Sequence, residues 1–360
     1  MSYFSFIIGF LLSVGALYFA LLNIPMSSLL EYISSVSYSW VFLSIVVNFI
    51  SFLIRVYRWQ IIVKEINDIN FCSAYHPTAI AFMMNCILPG RVGELARPLI
   101  LNQKVGTPIT GGIATIVTER LFDVVILILL YSLVFFYVDI DPNYQLQIGD
   151  YTLSSTLLSS LAKHIFILFI FLLVFIVCIS FQSIRSYLKK LLSKIPGLIF
   201  FVSDRGKNFL TSRCITPIIN MIDHVAEGFS LLKHPKRIFH CFFLSIVIWL
   251  LIALSYYIFG LGCKNLNLNF FEMCAIMVMI CFFISLPSVP GYWGLWEAGG
   301  LFGMTIFGVE EHAAMGFTLL NHVAQIIPII IAGFISAALT GTSIFSAKKQ
   351  QVIENIQNKE

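Results

Sequence analysis

Arg91, Glu94 and Arg97 sit close together in the run Pro89-Gly90-Arg91-Val92-Gly93-Glu94-Leu95-Ala96-Arg97, inside an otherwise apolar stretch. Far downstream, Pro290-Gly291-Tyr292-Trp293-Gly294-Leu295-Trp296-Glu297 repeats the pattern P-G-x-x-G followed by a glutamate. Proline and glycine interrupt helices. The free N–H groups of a helix that restarts after such a break favour an anion. An arginine at that point adds a planar fork that holds a phosphate through two hydrogen bonds. The chemistry these residues suit is therefore capture of an anionic group.

Asn85 stands just ahead of the first break. Glu94 and Arg97, spaced i,i+3 on the restarted helix, can pair on one face. In that case the charges merely pin the break. Glu119, Arg120 and Asp123 open the next apolar run. Glu119 and Asp123 share a face at i,i+4, and Arg120 reaches Asp123 at i,i+3. This second group is either a snorkelling cluster at a membrane interface, a set of ion-pair partners for Arg91 and Arg97, or a ligand contact. Glu297 is the sole charge between Glu272 and Glu310. An isolated carboxylate in an apolar run pairs with a distant arginine or takes up a proton, and Arg91 or Arg97 is the partner the sequence offers. Tyr292, Trp293 and Trp296 read as packing residues or an aromatic belt. His322 with Gln325 reads as a hydrogen-bonded interhelical pair or a proton relay. His76, His164, His234 and His312 flank apolar runs without metal-ligand spacing, and the eight cysteines form no CxxC pair, so neither a metal nor another cofactor is expected.

The elements that must carry these residues are set by composition. Hydrophobic residues make up 59% of the chain and charged residues 11%, with a mean hydropathy of +0.91. Soluble domains carry about 25% charged residues, so this chain is read as an all-α polytopic membrane protein. Full-length apolar spans of about 20 residues are predicted near 3–22, 38–57, 110–138, 163–181, 238–259 and 313–340. The first is taken as a retained helix, since it lacks the marks of a cleaved signal peptide. The stretch 183–237 holds Arg185, Lys189, Lys190, Lys194, Arg205, Lys207, Arg213, Lys233, Lys236 and Arg237, whereas the loop 139–160 holds Asp139, Asp141 and Asp150 and no base. The positive-inside rule then places 183–237 in the cytoplasm and 139–160 outside. Arg55, Arg58 and Lys64 are counted with the inner flank of the second span, and 23–37 as an outer loop.

With those orientations, 74–104 begins and ends inside and 270–307 begins and ends outside. Each reads as a re-entrant hairpin: half-helices 74–87 and 92–103 around Pro89, Gly90 and Gly93, and a second hairpin broken at Pro287, Pro290, Gly291 and Gly294. The predicted architecture is an inverted repeat, each half two spans, a re-entrant hairpin and one further span. Repeat 1 covers about 1–138 and repeat 2 about 160–342, within a single domain 1–342 followed by a tail at 343–360. Both termini fall in the cytoplasm, in a cell membrane. Paired broken segments in the two halves are a pointer to a transport site near the midplane.

The same residues resemble the lysylphosphatidylglycerol synthase transmembrane-domain family, also called flippase-like. Its first signature, N-x-x-L-P-x-R-x-G-E-x-x-R, is met by Asn85, Leu88, Pro89, Arg91, Gly93, Glu94 and Arg97. A second, E-R-x-x-D, is met by Glu119, Arg120 and Asp123. The third, P-G-G-x-G-x-x-E, is met by Pro290, Gly291, Gly294 and Glu297, with Tyr292 in place of the middle glycine. The resemblance implies a protein that moves a lipid between leaflets. The chain runs about twenty residues past its last span, so the fused aminoacyltransferase of multidomain relatives is not expected. The expected partners are membrane lipids, anionic phospholipids or polyprenyl phosphates, together with a cytoplasmic lipid-modifying enzyme docked on 183–237. No nucleic-acid motif is present. Asn85, Arg91, Glu94, Arg97, Glu119, Arg120, Asp123 and Glu297 are the predicted head-group residues. The alternatives are an intramembrane enzyme on lipid-linked phosphate or sugar, with Asp139 and Asp141 as its acids, and an accessory subunit of a lipid-modifying enzyme.

Overall fold

The computed structural model describes residues 25–88, 91–137, 145–148, 151–154, 235–264, 266–286 and 289–341, with isolated positions elsewhere. Pro89, Gly90, Pro287, Asp139, Asp141, the predicted spans 3–22 and 163–181, nearly all of 183–237 and the tail 343–360 lie outside the described residues.

Nine helices are described in chain order: α1 Met26–Ser35, α2 Tyr38–Val63, α3 Phe71–Ile87, α4 Val92–Val105, α5 Ile109–Tyr137, α6 Pro235–Leu261, α7 Phe270–Ile284, α8 Leu295–Thr305 and α9 Glu311–Thr340. A 3-10 turn, Pro290–Tyr292, precedes α8. Two short antiparallel strands, β1 Gln145–Ile148 and β2 Tyr151–Ser154, are the departure from an all-helical chain. Among the described residues, three helices, Tyr38–Val63, Lys236–Leu261 and Glu311–Thr340, are long and apolar enough to cross a membrane. A 26-residue helix spans about 39 Å at 1.5 Å per residue, more than the roughly 30 Å of a hydrocarbon core. Their outward faces are apolar: Phe42 is 69% exposed, Phe239 72% and Leu339 73%. Surfaces of that kind belong against lipid.

The predicted half-helices 74–87 and 92–103 become α3 and α4, each slightly longer. Asn70 caps α3 by accepting from the Ser73 N–H at 2.8 Å, and Gly106, at φ 69°, ends α4 in the left-handed conformation. The two helices fold back antiparallel: Gly93 faces Ala81 and Asn85, while Arg97 reaches Thr78. A Cβ on Gly93 would fall inside the Ala81 carbonyl, so only glycine permits this approach. Helices α7 and α8 form a second antiparallel pair, with Gly299 against Ile280 and Phe283 and Gly303 against Ile276 and Met279.

Helices α2 and α6 run antiparallel along their whole length. The Ser37 N–H donates to the Gly262 carbonyl at one end, Arg237 pairs with Glu65 at the other, and Arg58 donates to Ser245 two turns in from that second end. The segment 23–37, expected as a loop, contains α1 instead. Its Leu29 and Tyr32, spaced i,i+3, are buried, and Tyr32 lies against Gly316 of α9. The largest core forms where α6, α7 and α9 meet, with Phe259 edge-on to Phe317 at 5.1 Å. A second core joins α2, α3 and α4 through Phe52, Val56, Trp59 and Ala79.

Candidate functional site

The charges of three helices converge on one buried cluster. Arg55 and Arg58 lie i,i+3 on α2, and Glu119 and Asp123 lie i,i+4 on α5, so each pair shares a face and the two faces meet. Arg55 Nη1 is 2.8 Å from Asp123 Oδ2, and Arg58 Nη1 is 2.9 Å from Asp123 Oδ1. Arg97, from α4, donates to Glu119 Oε2 at 2.8 Å and through Nε to Thr78 Oγ1 at 3.1 Å. Its guanidinium lies 3.9 Å from the centre of the Trp59 ring, a cation–π contact. Trp249 of α6 donates to Asp123 Oδ1 at 3.2 Å. Arg58, Arg97, Glu119 and Asp123 are almost entirely buried.

The cluster opens outward at Arg120 and Glu94. Arg120 is 3.3 Å from Glu119 and 3.4 Å from Asp123, and its Nε is 3.7 Å from Glu94 Oε1. The expected i,i+3 partnership of Glu94 with Arg97 does not form. Glu119 holds Arg97 from the inside, so Glu94 turns to Arg120 instead. Arg55 and Arg58, counted in the sequence as flanking charges, are the principal partners of Asp123. The signal that would have found them is the acid pair on α5, which at that depth requires cations.

Among the described residues, the charges in this cluster do not balance. Four guanidinium groups (Arg55, Arg58, Arg97, Arg120) face three carboxylates (Glu94, Glu119, Asp123), an excess of one positive charge. Four buried guanidinium nitrogens, Arg58 Nε and Nη2, Arg97 Nη2 and Arg120 Nε, make no hydrogen bond among the described residues. A buried uncompensated charge costs several kcal/mol, and a bound anion removes that cost.

The two helix breaks touch. Arg91, at φ 53°, caps α4, and Tyr292, at φ 63°, lies in the second turn. These are the non-glycine positions at positive φ among the described residues. Arg91 Nη2 donates to the Ile284 carbonyl at 2.9 Å, and its guanidinium lies 5.8 Å from the Tyr292 ring centre. Tyr292 therefore adopts the left-handed conformation that a glycine takes without strain, and the turn keeps its shape. Asn85 accepts from the Gly93 N–H at 2.9 Å. It satisfies one free amide of α4 and so positions the break.

Glu297 does not pair with Arg91 or Arg97. Its Oε2 accepts from the Gly294 N–H at 2.7 Å, capping α8, and its Oε1 is 2.6 Å from His322 Nδ1. His322 Nε2 is 2.8 Å from the Gly291 carbonyl, an acceptor only, so Nε2 carries a hydrogen. The contact between Nδ1 and Oε1 then needs one further proton, on either the imidazole or the carboxyl. Glu297 and His322 thus form a fully buried unit that is neutral overall while it holds that proton. Trp296 stacks on the imidazole at 4.4 Å and Trp293 lies at 4.5 Å. These indoles are packing residues, and Gln325 reaches Ser255 rather than His322.

A cavity of about 290 Å³ lies between α4 and α5, with Glu94 and Arg120 among its lining residues. Among the described residues, no group of histidine, cysteine and acidic side chains has metal-site geometry.

No curated protein matches this chain. The model of the family described as Lysylphosphatidylglycerol synthase TM region matches residues 6–333. That match covers the three motifs, both helix breaks and the buried cluster. Together with the three membrane-length apolar helices, it identifies a membrane protein, and the chain belongs to the lysylphosphatidylglycerol synthase TM region family.

Proposed function

We propose that the protein is a lipid translocase, a flippase or scramblase, that passes an anionic phospholipid or lipid-linked phosphate head group between leaflets without chemical change. The observation that carries this reading is the excess positive charge of the buried cluster, set beside two touching helix breaks in a protein with an apolar exterior. The antiparallel pairs α3–α4 and α7–α8 support re-entrant hairpins whose tips meet, and hence an inverted repeat. The basic stretch 183–237 supports a cytoplasmic side for that segment and for both termini. Arg91 and Arg120 are the cations nearest the surface, so they meet the phosphate first. Arg97, Arg55 and Arg58 lie behind them and set the potential. The acyl chains stay on the lipid-facing side of the protein. Transport runs down a lipid gradient or couples to the proton held by Glu297 and His322.

The test is leaflet-resolved flipping of fluorescent phosphatidylglycerol in liposomes. Arg91→Ala and Arg120→Ala, correctly inserted, are expected to slow flipping by about tenfold or more, the worth of a charge-assisted hydrogen bond. Wild-type rates in both variants would remove the head-group role of these arginines.

A further inference from the structure

The cavity between α4 and α5 joins two kinds of surface. Leu95, Ile113, Val117 and Val124 form its apolar wall, and each is partly open to the exterior, between 36% and 46% exposed. At its head stand Arg120 and Glu94, the outward edge of the charge cluster. A space of about 290 Å³, at the lower edge of the about 300–1,000 Å³ of ligand sites and open to the exterior, takes part of one hydrocarbon chain rather than a whole lipid. Glu94 holds Arg120 loosely, at 3.7 Å from Nε, and no closer acceptor reaches that buried nitrogen among the described residues. The cluster behind it carries one positive charge too many.

We infer that this groove is a binding site for a single diacyl anionic phospholipid, with one acyl chain in the groove and the phosphate on Arg120 in place of Glu94. The inference deepens the proposed function by giving the substrate a lateral point of entry, and rests on that reading for its purpose. Charge complementarity selects the occupant. A neutral lipid leaves the excess charge unanswered, and a free phosphate leaves the apolar wall exposed. Each half of the ligand is matched by one half of the site.

Glu94 gives the inference an unusual signature. Its carboxylate competes with the phosphate for Arg120, so removing the charge strengthens lipid binding. A residue that served only to brace α4 would not behave in this way.

The experiment is native mass spectrometry of purified protein titrated with dioleoyl phosphatidylglycerol, with dioleoylglycerol and inorganic phosphate as separate arms. Phosphatidylglycerol is expected to bind at one saturable site at least about tenfold more tightly than either half-ligand. Val117→Trp fills the groove from an exposed position and is expected to weaken phosphatidylglycerol by about tenfold or more. Arg120→Gln has the same effect, and Glu94→Gln tightens binding. Ile327→Trp, on an exposed face of α9, leaves it unchanged. Unaltered affinity in Val117→Trp, or equal binding of either half-ligand, overturns the inference. Flipping assayed in parallel separates the two readings: a wild-type protein that binds but does not flip refutes translocation and leaves the groove standing. Flipping that persists with the groove filled and lipid binding unchanged refutes only the groove.

Discussion

Glu119→Gln removes one negative charge from the centre of the cluster while keeping the side chain's size. Glu119 lies 2.8 Å from Arg97, 3.3 Å from Arg120, 3.4 Å from Arg58 and 3.9 Å from Arg55. The substitution leaves four guanidinium groups facing two carboxylates, so the excess rises from one charge to two. Breaking a buried ion pair by removing one partner costs about 3–5 kcal/mol. The glutamine oxygen still accepts from Arg97, which points to the lower end, about 3 kcal/mol. The roughly 2–4 °C per kcal/mol of a 150–250-residue domain is an upper bound for this larger chain, so purified protein should lose its monodisperse chromatography peak several degrees earlier on heating, up to about 12 °C. Adding Arg97→Gln to Glu119→Gln returns the excess to one and should recover much of that loss, a coupling of at least about 1 kcal/mol. Glu31→Gln, at an exposed site, should shift the midpoint by no more than the roughly 0.5 kcal/mol of an ordinary surface change. A Glu119→Gln protein as heat-stable as wild type would show that the cluster is not held by this carboxylate, and the charge count would lose its force.

Glu297→Gln imitates the proton-loaded pair: its oxygen still caps the Gly294 N–H, and its amide donates to a neutral His322. It should fold within about 1 kcal/mol of wild type. Flipping should be lost if release of that proton drives the cycle; unchanged flipping would reduce the pair to a structural role. Tyr292→Gly relieves a left-handed side chain and should stabilise the isolated turn by about 1 kcal/mol. It also removes the ring beneath Arg91, so flipping should fall while thermal stability holds or rises; a fall in both would contradict this. Cysteines replacing Glu65 and Arg237, joined by a short bifunctional cross-linker, should leave the flipping rate within about twofold of wild type, since opening at a few loop residues suffices for gating. Arrest by that cross-link would show that α2 and α6 move apart.

Much of the site was legible because its residues obey local rules. Both breaks declare themselves by proline and glycine, and the acid pair on α5 by its i,i+4 spacing. What escaped is non-local. Arg55 and Arg58 occur near the end of an apolar run, where the sequence gives no sign whether they face water or a buried acid. Only the packing of α2 on α5 decides. The true partner of Glu297 stands 25 positions away on α9, and nothing in spacing prefers His322 over an arginine from the other hairpin. Helix α1 was within reach, since Leu29 and Tyr32 follow a helical period, but few charges marked its polar face.

The end-to-end union of α2 and α6 constrains how such a molecule moves. These helices come from opposite halves of the chain, yet they are tied at one end by a backbone hydrogen bond and toward the other by a buried arginine–serine bond and an ion pair. Alternating access by rocking one half against the other would have to unzip that seam along its entire length. At the junction between the two helix breaks, Arg91 donates to the Ile284 carbonyl and lies against the Tyr292 ring. In a translocase of the kind proposed, motion that exposes the cluster first to one leaflet and then to the other would belong to the tips, pivoting on a stationary spine.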